Sequence, residues 1–231
     1  VIVVVLLGVL PLAGFAKTPA GYDKAMWAWF PNEDISTDAA RREMVTFAEA
    51  KGINVIYLNI GNVGSEVYLK GHREQYRAFI KLASEKDIRV YALDGDAKWA
   101  YAKNHHIPLS RVMEVFRYNK GVEEDARFSG IQFDIEPYLL PEWDTEKREK
   151  LIHQYLTGLK QIDRIVQANR TDSIAFMAAI PFWFDGEQYE TVYRGVSQPL
   201  CNHVIDIVSG GVAIMAYRDF ATGRDSIIYH S

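Results

Sequence analysis

Short apolar runs alternate with longer amphipathic segments along most of this 231-residue chain. The runs have the length and composition of buried strands, and the segments between them, such as Arg73–Lys86 and Thr145–Ala168, repeat their apolar residues at helical spacing. Strands that alternate with helices predict an α/β fold with a parallel sheet. The predicted strands are Lys24–Phe30, Ile53–Ile60, Ile88–Leu93, Phe128–Glu136, Ser173–Ile180 and one within Asp206–Tyr217.

Two α/β architectures fit this order, the (β/α)8 TIM barrel and an open doubly wound sheet. No Gly-rich phosphate loop follows the first strand, and polar or aromatic residues follow nearly every strand. Both observations favour the barrel, whose chemistry lies at the carboxyl ends of several strands. A complete barrel takes about 250 residues, so we expect an incomplete one, with about six βα units present and the last two missing.

The first 16 residues, VIVVVLLGVLPLAGFA, are almost wholly apolar. The run is shorter than the ~20 residues of a membrane-spanning helix, and it ends in the small residues Gly14 and Ala16. It predicts a secretory signal peptide over 1–16 with a clipped n-region, cleaved before Lys17. The protein is then secreted or periplasmic, with no stable membrane insertion after cleavage. An uncleaved anchor and a buried strand are the alternatives.

The remainder, residues 17–231, contains no low-complexity linker or repeat, which predicts a single barrel domain, truncated at its C-terminal end. The formal net charge of -4 argues against nucleic acid as a partner. Asp94 and Asp96 are too few acids for a metal site, and we expect no metal and no cofactor.

The stretch from Phe128 to Tyr138 has an unusual polar face for a buried strand. Gln132, Asp134 and Glu136 alternate with apolar residues and so share one face. Buried carboxylates are unfavourable unless they are paired, hydrated or used. Two neighbouring carboxylates raise the pKa of one member, which then keeps a proton for acid catalysis, as in glycosidic cleavage. Alternatively, Asp134 caps a loop and Glu136 pairs with a basic residue such as Arg218.

The run Ser129-Gly-Ile-Gln-Phe-Asp-Ile-Glu136 resembles the fourth-strand motif of glycoside hydrolase family 18, the chitinase-like barrels, which reads D-G-x-D-x-D-x-E. Gly130, Asp134 and Glu136 match this motif, whereas Ser129 and Gln132 replace two of its aspartates. The resemblance covers roughly residues 24–219.

A second match lies in the sixth strand. Ile214-Met-Ala-Tyr217 is similar to the family's M-x-Y-D, with Met215 and Tyr217 matching and Asp219 falling one place late. The resemblance implies that Glu136 is the general acid/base. It implies further that Asp134 orients Glu136 and stabilises an acetamido group of the substrate, to which Tyr217 donates a hydrogen bond.

Aromatic side chains at or beyond the strand ends suggest how a sugar is held. Sugar rings pack their CH faces on aromatic rings, and their hydroxyls need polar partners; packing in the core is the alternative for each ring. The predicted substrate-binding residues are Gln132, Met215, Trp27, Asn59, Asp94, Trp99, Tyr138, Trp183 and Asp219.

Together these features predict an exported glycoside hydrolase-like protein, possible substrates being glycans that contain N-acetylhexosamine. The expected partner is an oligo- or polysaccharide. A non-catalytic carbohydrate-binding barrel is the alternative, which Gln132 and the displaced Asp219 favour. A barrel phosphodiesterase would need an inward-facing histidine near the first two strands, and His72 lies too far along the chain.

Overall fold

The computed structural model describes residues 4–7, 23–63, 66–169, 174–215 and 222. Within them the strands are β1 (Val4–Leu7), β2 (Asp23–Ala28), β3 (Val55–Asn59), β4 (Asn62–Val63), β5 (Glu66–Val67), β6 (Arg89–Asp94), β7 (Gly130–Phe133), β8 (Ala175–Pro181), β9 (Glu190–Tyr193), β10 (Val196–Pro199) and β11 (Val212–Met215). The α-helices are α1 (Pro31–Asp34), α2 (Asp38–Ala50), α3 (Tyr68–Gly71), α4 (Arg73–Ser84), α5 (His106–Lys120), α6 (Arg148–Ala168) and α7 (Leu200–Ile207).

The main sheet has the strand order β1-β2-β3-β6-β7-β8-β11. All of these strands except β1 are parallel, and helices alternate with them along the chain. The predicted α/β fold with a parallel sheet is therefore confirmed. β1 lies within the predicted signal peptide and pairs antiparallel with β2.

The described residues form two compact units. The first contains those up to Asp94 together with Glu114–Ile131, and the second contains Gly95–Met113 and those from Gln132 onward.

Local signals in the sequence explain the helices of the first unit. α2 begins after Thr37, whose hydroxyl oxygen accepts a hydrogen bond from the Ala40 amide at 3.1 Å. It ends before Gly52, whose φ of +64° closes the helix at no steric cost. α4 buries Tyr76 and Phe79 along one face. The Tyr76 hydroxyl donates to the Asn59 carbonyl at 2.6 Å, which joins α4 to the end of β3.

A buried asparagine fixes the chain where it enters β7. The side chain of Asn119 accepts from the Phe128 amide at 2.9 Å and donates to the Phe128 carbonyl at 3.0 Å. The next amide, that of Ser129, donates to the Val90 carbonyl at 2.8 Å. These bonds hold Phe128 and Ser129 just before β7, and so help to set the register of that strand.

In the second unit, α6 buries the apolar stripe that its periodicity predicts, from Leu151 to Val166. β9 and β10 form a hairpin that the sequence analysis missed. Its two central residues, Arg194 and Gly195, have φ of +54° and +83°. This is the turn geometry that matches the twist of a two-residue hairpin.

Several element ends differ from the predictions. The first predicted strand, which is β2 in the structure, ends at Ala28 rather than Phe30. Helix α6 begins at Arg148 rather than Thr145. The sixth parallel strand is β11, and the first two residues of its predicted range, Asp206 and Ile207, belong instead to the end of α7. No helix among the described residues combines the length and the apolar character that crossing a membrane requires.

Candidate active site

The proposed catalytic carboxylates lie just beyond the end of β7. The strand was expected to continue to Glu136, but it ends at Phe133, and Asp134 and Glu136 follow in irregular chain. Pro137, which has no N–H to donate to a sheet, starts a 3-10 helix directly afterwards. Ile135 is buried whereas Asp134 and Glu136 are half-buried, so the alternation persists beyond the strand.

Gly95 lies directly against the backbone of Asp134. A methyl group at Gly95 would lie 2.1 Å from the carbonyl oxygen of Asp134 and 3.0 Å from its Cβ. A backbone oxygen cannot swing aside as the end of a long side chain can, so this approach requires glycine. The Gly95 backbone therefore helps to fix the position of Asp134.

The carboxyl group of Asp134 is largely removed from water. Its Oδ1 atom is buried and has no hydrogen-bond partner among the described residues. Burial, and then the nearby charge of Glu136, raise the pKa of Asp134 from 3.8 to about 7. Near neutral pH, Asp134 is therefore protonated in a substantial fraction of the molecules.

Tyr155 of α6 is close enough to Asp134 for the two groups to interact electrostatically. The tyrosine is buried, and its hydroxyl has no hydrogen-bond partner within the described part of the chain. Burial, and then the charge of Asp134, raise the pKa of Tyr155, so its hydroxyl stays protonated. A protonated phenol is a hydrogen-bond donor.

Glu136 is held by a residue two positions further along the chain. The Tyr138 hydroxyl donates a hydrogen bond to Oε1 of Glu136. Glu136 itself is half-buried, so part of its side chain remains accessible. A carboxyl group that is oriented on one side and open on another is suited to proton transfer with a ligand.

Tyr138 also belongs to a group of packed rings, the aromatic cluster, which consists of Tyr138, Trp143, Trp183, Phe184 and Tyr189. The Trp183 ring centre lies 5.0 Å from that of Tyr138 and 4.9 Å from that of Tyr189. Trp143 and Phe184 are buried and form the base of the cluster, whereas the other three rings are half-buried. The cluster thus presents aromatic surface that continues from the residue bonded to Glu136.

The predicted substrate contacts of the first unit are all buried. Trp27 is 7% exposed, and its ring packs on a neighbouring tyrosine. The side chain of Asn59 accepts from the Gly61 amide at 2.8 Å and donates to the Trp29 carbonyl at 3.0 Å. Asp94 lies so close to Gly61 that a methyl group there would be 2.2 Å from Oδ1. Asn59 and Asp94 are thus brought together at Gly61, in the interior of this unit.

In the second unit, burial separates the remaining predicted contacts into two groups. Gln132 is fully buried, and Trp99 and Met215 are each 6% exposed. The Trp99 ring packs edge-on against Phe133, so this residue, expected to be a sugar platform, forms part of the core. Trp183 and Tyr138 are half-buried and lie together in the aromatic cluster. Tyr217 and Asp219 fall outside the described residues.

The sequence analysis missed Gly95 and Tyr155 as parts of the site. Gly95 directly follows β6, and a glycine in or beside a strand can mark the close approach of another backbone. Tyr155 was visible only as one position within the predicted helical segment Thr145–Ala168. Helical periodicity shows that such a side chain points inward, but not which ionisable groups lie near it.

Among the described residues, no three His, Cys, Asp or Glu side chains are grouped so that they could hold a metal ion.

No family profile matches the chain, and no curated protein sequence is similar to it. Solved structures are similar to it. One is the C-terminal domain of a protein assigned as a chitinase in Desulfitobacterium hafniense, with a TM-score of 0.51 at 13% identity, covering 80% of this chain and 53% of that one. The fold is that of a (β/α) barrel. Six parallel strands of it are present here, as predicted.

Two further structures match more loosely. A glycoside hydrolase family 18 chitinase from Cycas revoluta, solved with allosamidin, has a TM-score of 0.45 at 13% identity and covers 89% of this chain and 62% of its own. A broad-specificity endoglucanase from Clostridium longisporum has a TM-score of 0.40 at 12% identity. The match covers 80% of this chain and 56% of the endoglucanase. The chain spans a little over half the length of the structures that it matches.

Proposed function

We propose that this protein is a glycoside hydrolase of chitinase-like type, which cleaves glycosidic bonds by carboxylate acid/base catalysis. The observation that carries the proposal is the pair Asp134 and Glu136 beyond the end of β7. Both residues are half-buried, but Asp134 has a buried carboxyl oxygen and a pKa raised to about 7, whereas Glu136 is oriented by Tyr138. The barrel fold supports the proposal, because barrel enzymes place their chemistry at this end of the strands.

In this proposal Glu136 gives a proton to the glycosidic oxygen as the bond breaks, and later takes a proton from the attacking water. Asp134 shares the proton of the pair, since two neighbouring carboxyl groups do not ionise independently. When Asp134 is ionised, its charge stabilises positive charge that develops on the substrate. Tyr217, which the motif resemblance assigns to the acetamido group, is proposed as a further contact.

The proposed substrate is a glycan that contains N-acetylhexosamine. Two features support this class. The motif around Asp134 and Glu136 resembles that of chitinase-like barrels, and the aromatic cluster offers half-buried rings on which a sugar can pack. Trp183 is the ring that we expect to lie under the sugar, since it contacts both Tyr138 and Tyr189.

The direct test uses the purified chain with N-acetylglucosamine oligomers, and follows both product release and binding. We expect hydrolysis by the parent protein and loss of about 100-fold or more in Glu136→Gln, the usual contribution of a general acid. Glu146→Gln, the same change at an exposed glutamate of the second unit, is the matched control and should keep full activity. Equal turnover in the two variants would contradict the assignment of Glu136.

A non-catalytic carbohydrate-binding barrel is the second candidate, and two observations favour it. Gln132 is a buried neutral amide at a position where the chitinase-like motif has an acid. Oε1 of Glu136 is also already engaged by Tyr138. The same experiment separates the candidates, because a lectin-like protein would bind the oligomers and release no product.

We also propose that the protein is exported, on the basis of the apolar residues 1–16. Expression of the full sequence behind a start codon and a basic n-region, followed by N-terminal sequencing of secreted material, tests this. Cleavage before Lys17 is the expected result, and retention of residues 1–16 would contradict it.

A further inference from the structure

Two connecting segments of the second unit meet at more than one point. The first, residues 95–105, leads into α5, and the second, residues 134–147, leads into α6 and carries the carboxylate pair. One meeting point is the close approach of Gly95 to the backbone of Asp134. This contact fixes only the start of the second segment, because Asp134 is its first residue.

A hydrogen bond joins the same two segments further along the chain. The Tyr101 hydroxyl donates to Oε2 of Glu142 at 2.6 Å, and we call this bond the loop clamp. Hydrogen bonds to an ionised carboxylate are about twice as strong as those between neutral groups. Consistent with such a bond, Tyr101 is the first cause that lowers the pKa of Glu142, and the charges of Lys147 and Lys103 lower it further.

Both partners of the loop clamp are held in place by other contacts. Nζ of Lys103 lies 5.3 Å from the centre of the Tyr101 ring, within the range of a cation–π interaction. Glu142 directly precedes Trp143, which is buried at the base of the aromatic cluster. The Arg148 side chain donates to the Trp143 carbonyl. The loop clamp therefore connects two segments that are each fixed near the bond.

The proposed catalytic carboxyl groups lie on the stretch between the two meeting points. Gly95 holds Asp134 at one end, Tyr101 holds Glu142 at the other, and Glu136 lies between them. A stretch fixed at both ends has fewer conformations open to it than one fixed at a single end. Burial is the larger cause of the raised pKa of Asp134. An opening of this stretch that admits water would therefore return that pKa toward 3.8.

We propose that Tyr101 is a positioning residue, which through the loop clamp keeps the carboxyl oxygen of Asp134 buried and holds Glu136 in place for proton transfer. Tyr101 acts on the pair through Glu142 and the chain that joins it to Asp134. The part that concerns proton transfer rests on the proposed function. The part that concerns the burial of Asp134 is independent of it.

The test measures the titration of Asp134 by NMR, in protein labelled with carbon-13 at the aspartate carboxyl carbon, with Asp134→Asn to identify the signal. In the parent we expect a midpoint at about 7. Tyr101→Phe removes the hydroxyl and keeps the half-buried ring beside Lys103, so it should fold. It should lower the midpoint by about half a unit to one unit. Tyr193→Phe is the matched control, because it removes a buried hydroxyl that contacts Thr157 of α6 at 3.3 Å, and should leave the midpoint unchanged.

A second variant removes the loop clamp from its other side. Glu142→Ala should lower the midpoint of Asp134 as Tyr101→Phe does, and the double variant should lower it no further, because both changes remove the same bond. Glu142→Gln loses the charge but keeps an acceptor oxygen, so its midpoint should lie closer to that of the parent. An unchanged midpoint in Tyr101→Phe would overturn the proposal, and so would additive shifts in the double variant.

The effect on proton transfer is measured by the hydrolysis of N-acetylglucosamine oligomers. Tyr101→Phe should lower kcat about tenfold and change KM less than about twofold, because the carboxyl groups are misplaced while the aromatic cluster is kept. Tyr193→Phe should keep both parameters. A raised KM with unchanged kcat in Tyr101→Phe would overturn the positioning role. If the parent releases no product, the proposed function fails, and the titration of Asp134 still decides whether Tyr101 keeps that residue buried.

Discussion

Replacing Asp134 by asparagine should stabilise the folded protein by an amount that grows with pH. In the folded state the pKa of Asp134 is raised to about 7, first by burial and second by Glu136. An unfolded chain returns this pKa to its ordinary value of 3.8. A raised pKa means that the folded state binds the proton more tightly, so the stability linked to this group is fully present below 3.8 and is lost as the pH rises to about 7.

The difference between the two pKa values corresponds to at most about 4 kcal/mol of unfolding free energy. Asparagine has nearly the same shape and does not ionise. Relative to the parent protein, Asp134→Asn should therefore gain up to about 4 kcal/mol at pH 8 and about nothing below pH 4. Glu136→Gln should lower the pKa of Asp134, so the pH range in which stability is lost should move to lower values. The change should be partial, because burial contributes more than Glu136 to the raised pKa of Asp134.

The assay is urea unfolding followed by circular dichroism at a series of pH values. Subtracting the two curves cancels the other titrating groups, so the difference reports Asp134 and its coupling to Glu136. Asp185→Asn, a change at an exposed aspartate of the same unit, is the control and should shift stability little. A stability difference for Asp134→Asn that does not vary between about pH 4 and pH 8 would refute the reasoning.

Three further substitutions test the geometry around the pair. Gly95→Ala should lower the unfolding free energy by about 1–3 kcal/mol, because the added methyl meets the Asp134 carbonyl oxygen at 2.1 Å. Gly121→Ala is the control, since its methyl would meet the flexible end of an arginine side chain. An equal fall in unfolding free energy for the two variants would contradict this reasoning. Tyr138→Phe should lower the unfolding free energy by about 1 kcal/mol, measured by urea unfolding. It should keep the aromatic packing, measured by near-ultraviolet circular dichroism. An unchanged urea midpoint would mean that the hydrogen bond from Tyr138 to Glu136 is not formed. Trp183→Ala should weaken oligosaccharide binding about tenfold in calorimetry, and undiminished affinity would remove the aromatic cluster from the substrate site.

Much of the fold could be predicted because its signals are local. The α2 helix follows from Thr37 at its start and Gly52 at its end, and α6 follows from an apolar stripe of constant period. Buried parallel strands appear as apolar runs whatever their neighbours are, which is why the order of the six parallel strands along the chain was correct. The carboxylate pair was visible for a similar reason, since Asp134 and Glu136 interrupt an apolar run at a spacing of two.

What could not be predicted depends on contacts between distant parts of the chain. The close approach of Gly95 to Asp134 joins residues that are 39 positions apart in the sequence. Trp99 and Trp183 both follow strands, yet one is packed on Phe133 and the other is half-buried. The hairpin was missed because its turn places Arg194 at positive φ, where Asn or Asp is the usual signal.

The central claim is that Glu136 is the acid/base of a glycan-cleaving site. The most direct measurement is the rate of release of reducing sugar from N-acetylglucosamine oligomers by the parent protein and by Glu136→Gln, with binding and the urea midpoint measured on the same samples. We expect the variant to be folded, to bind the oligomers as the parent does and to lose about 100-fold or more in rate. A variant that hydrolyses the oligomers as fast as the parent would contradict it.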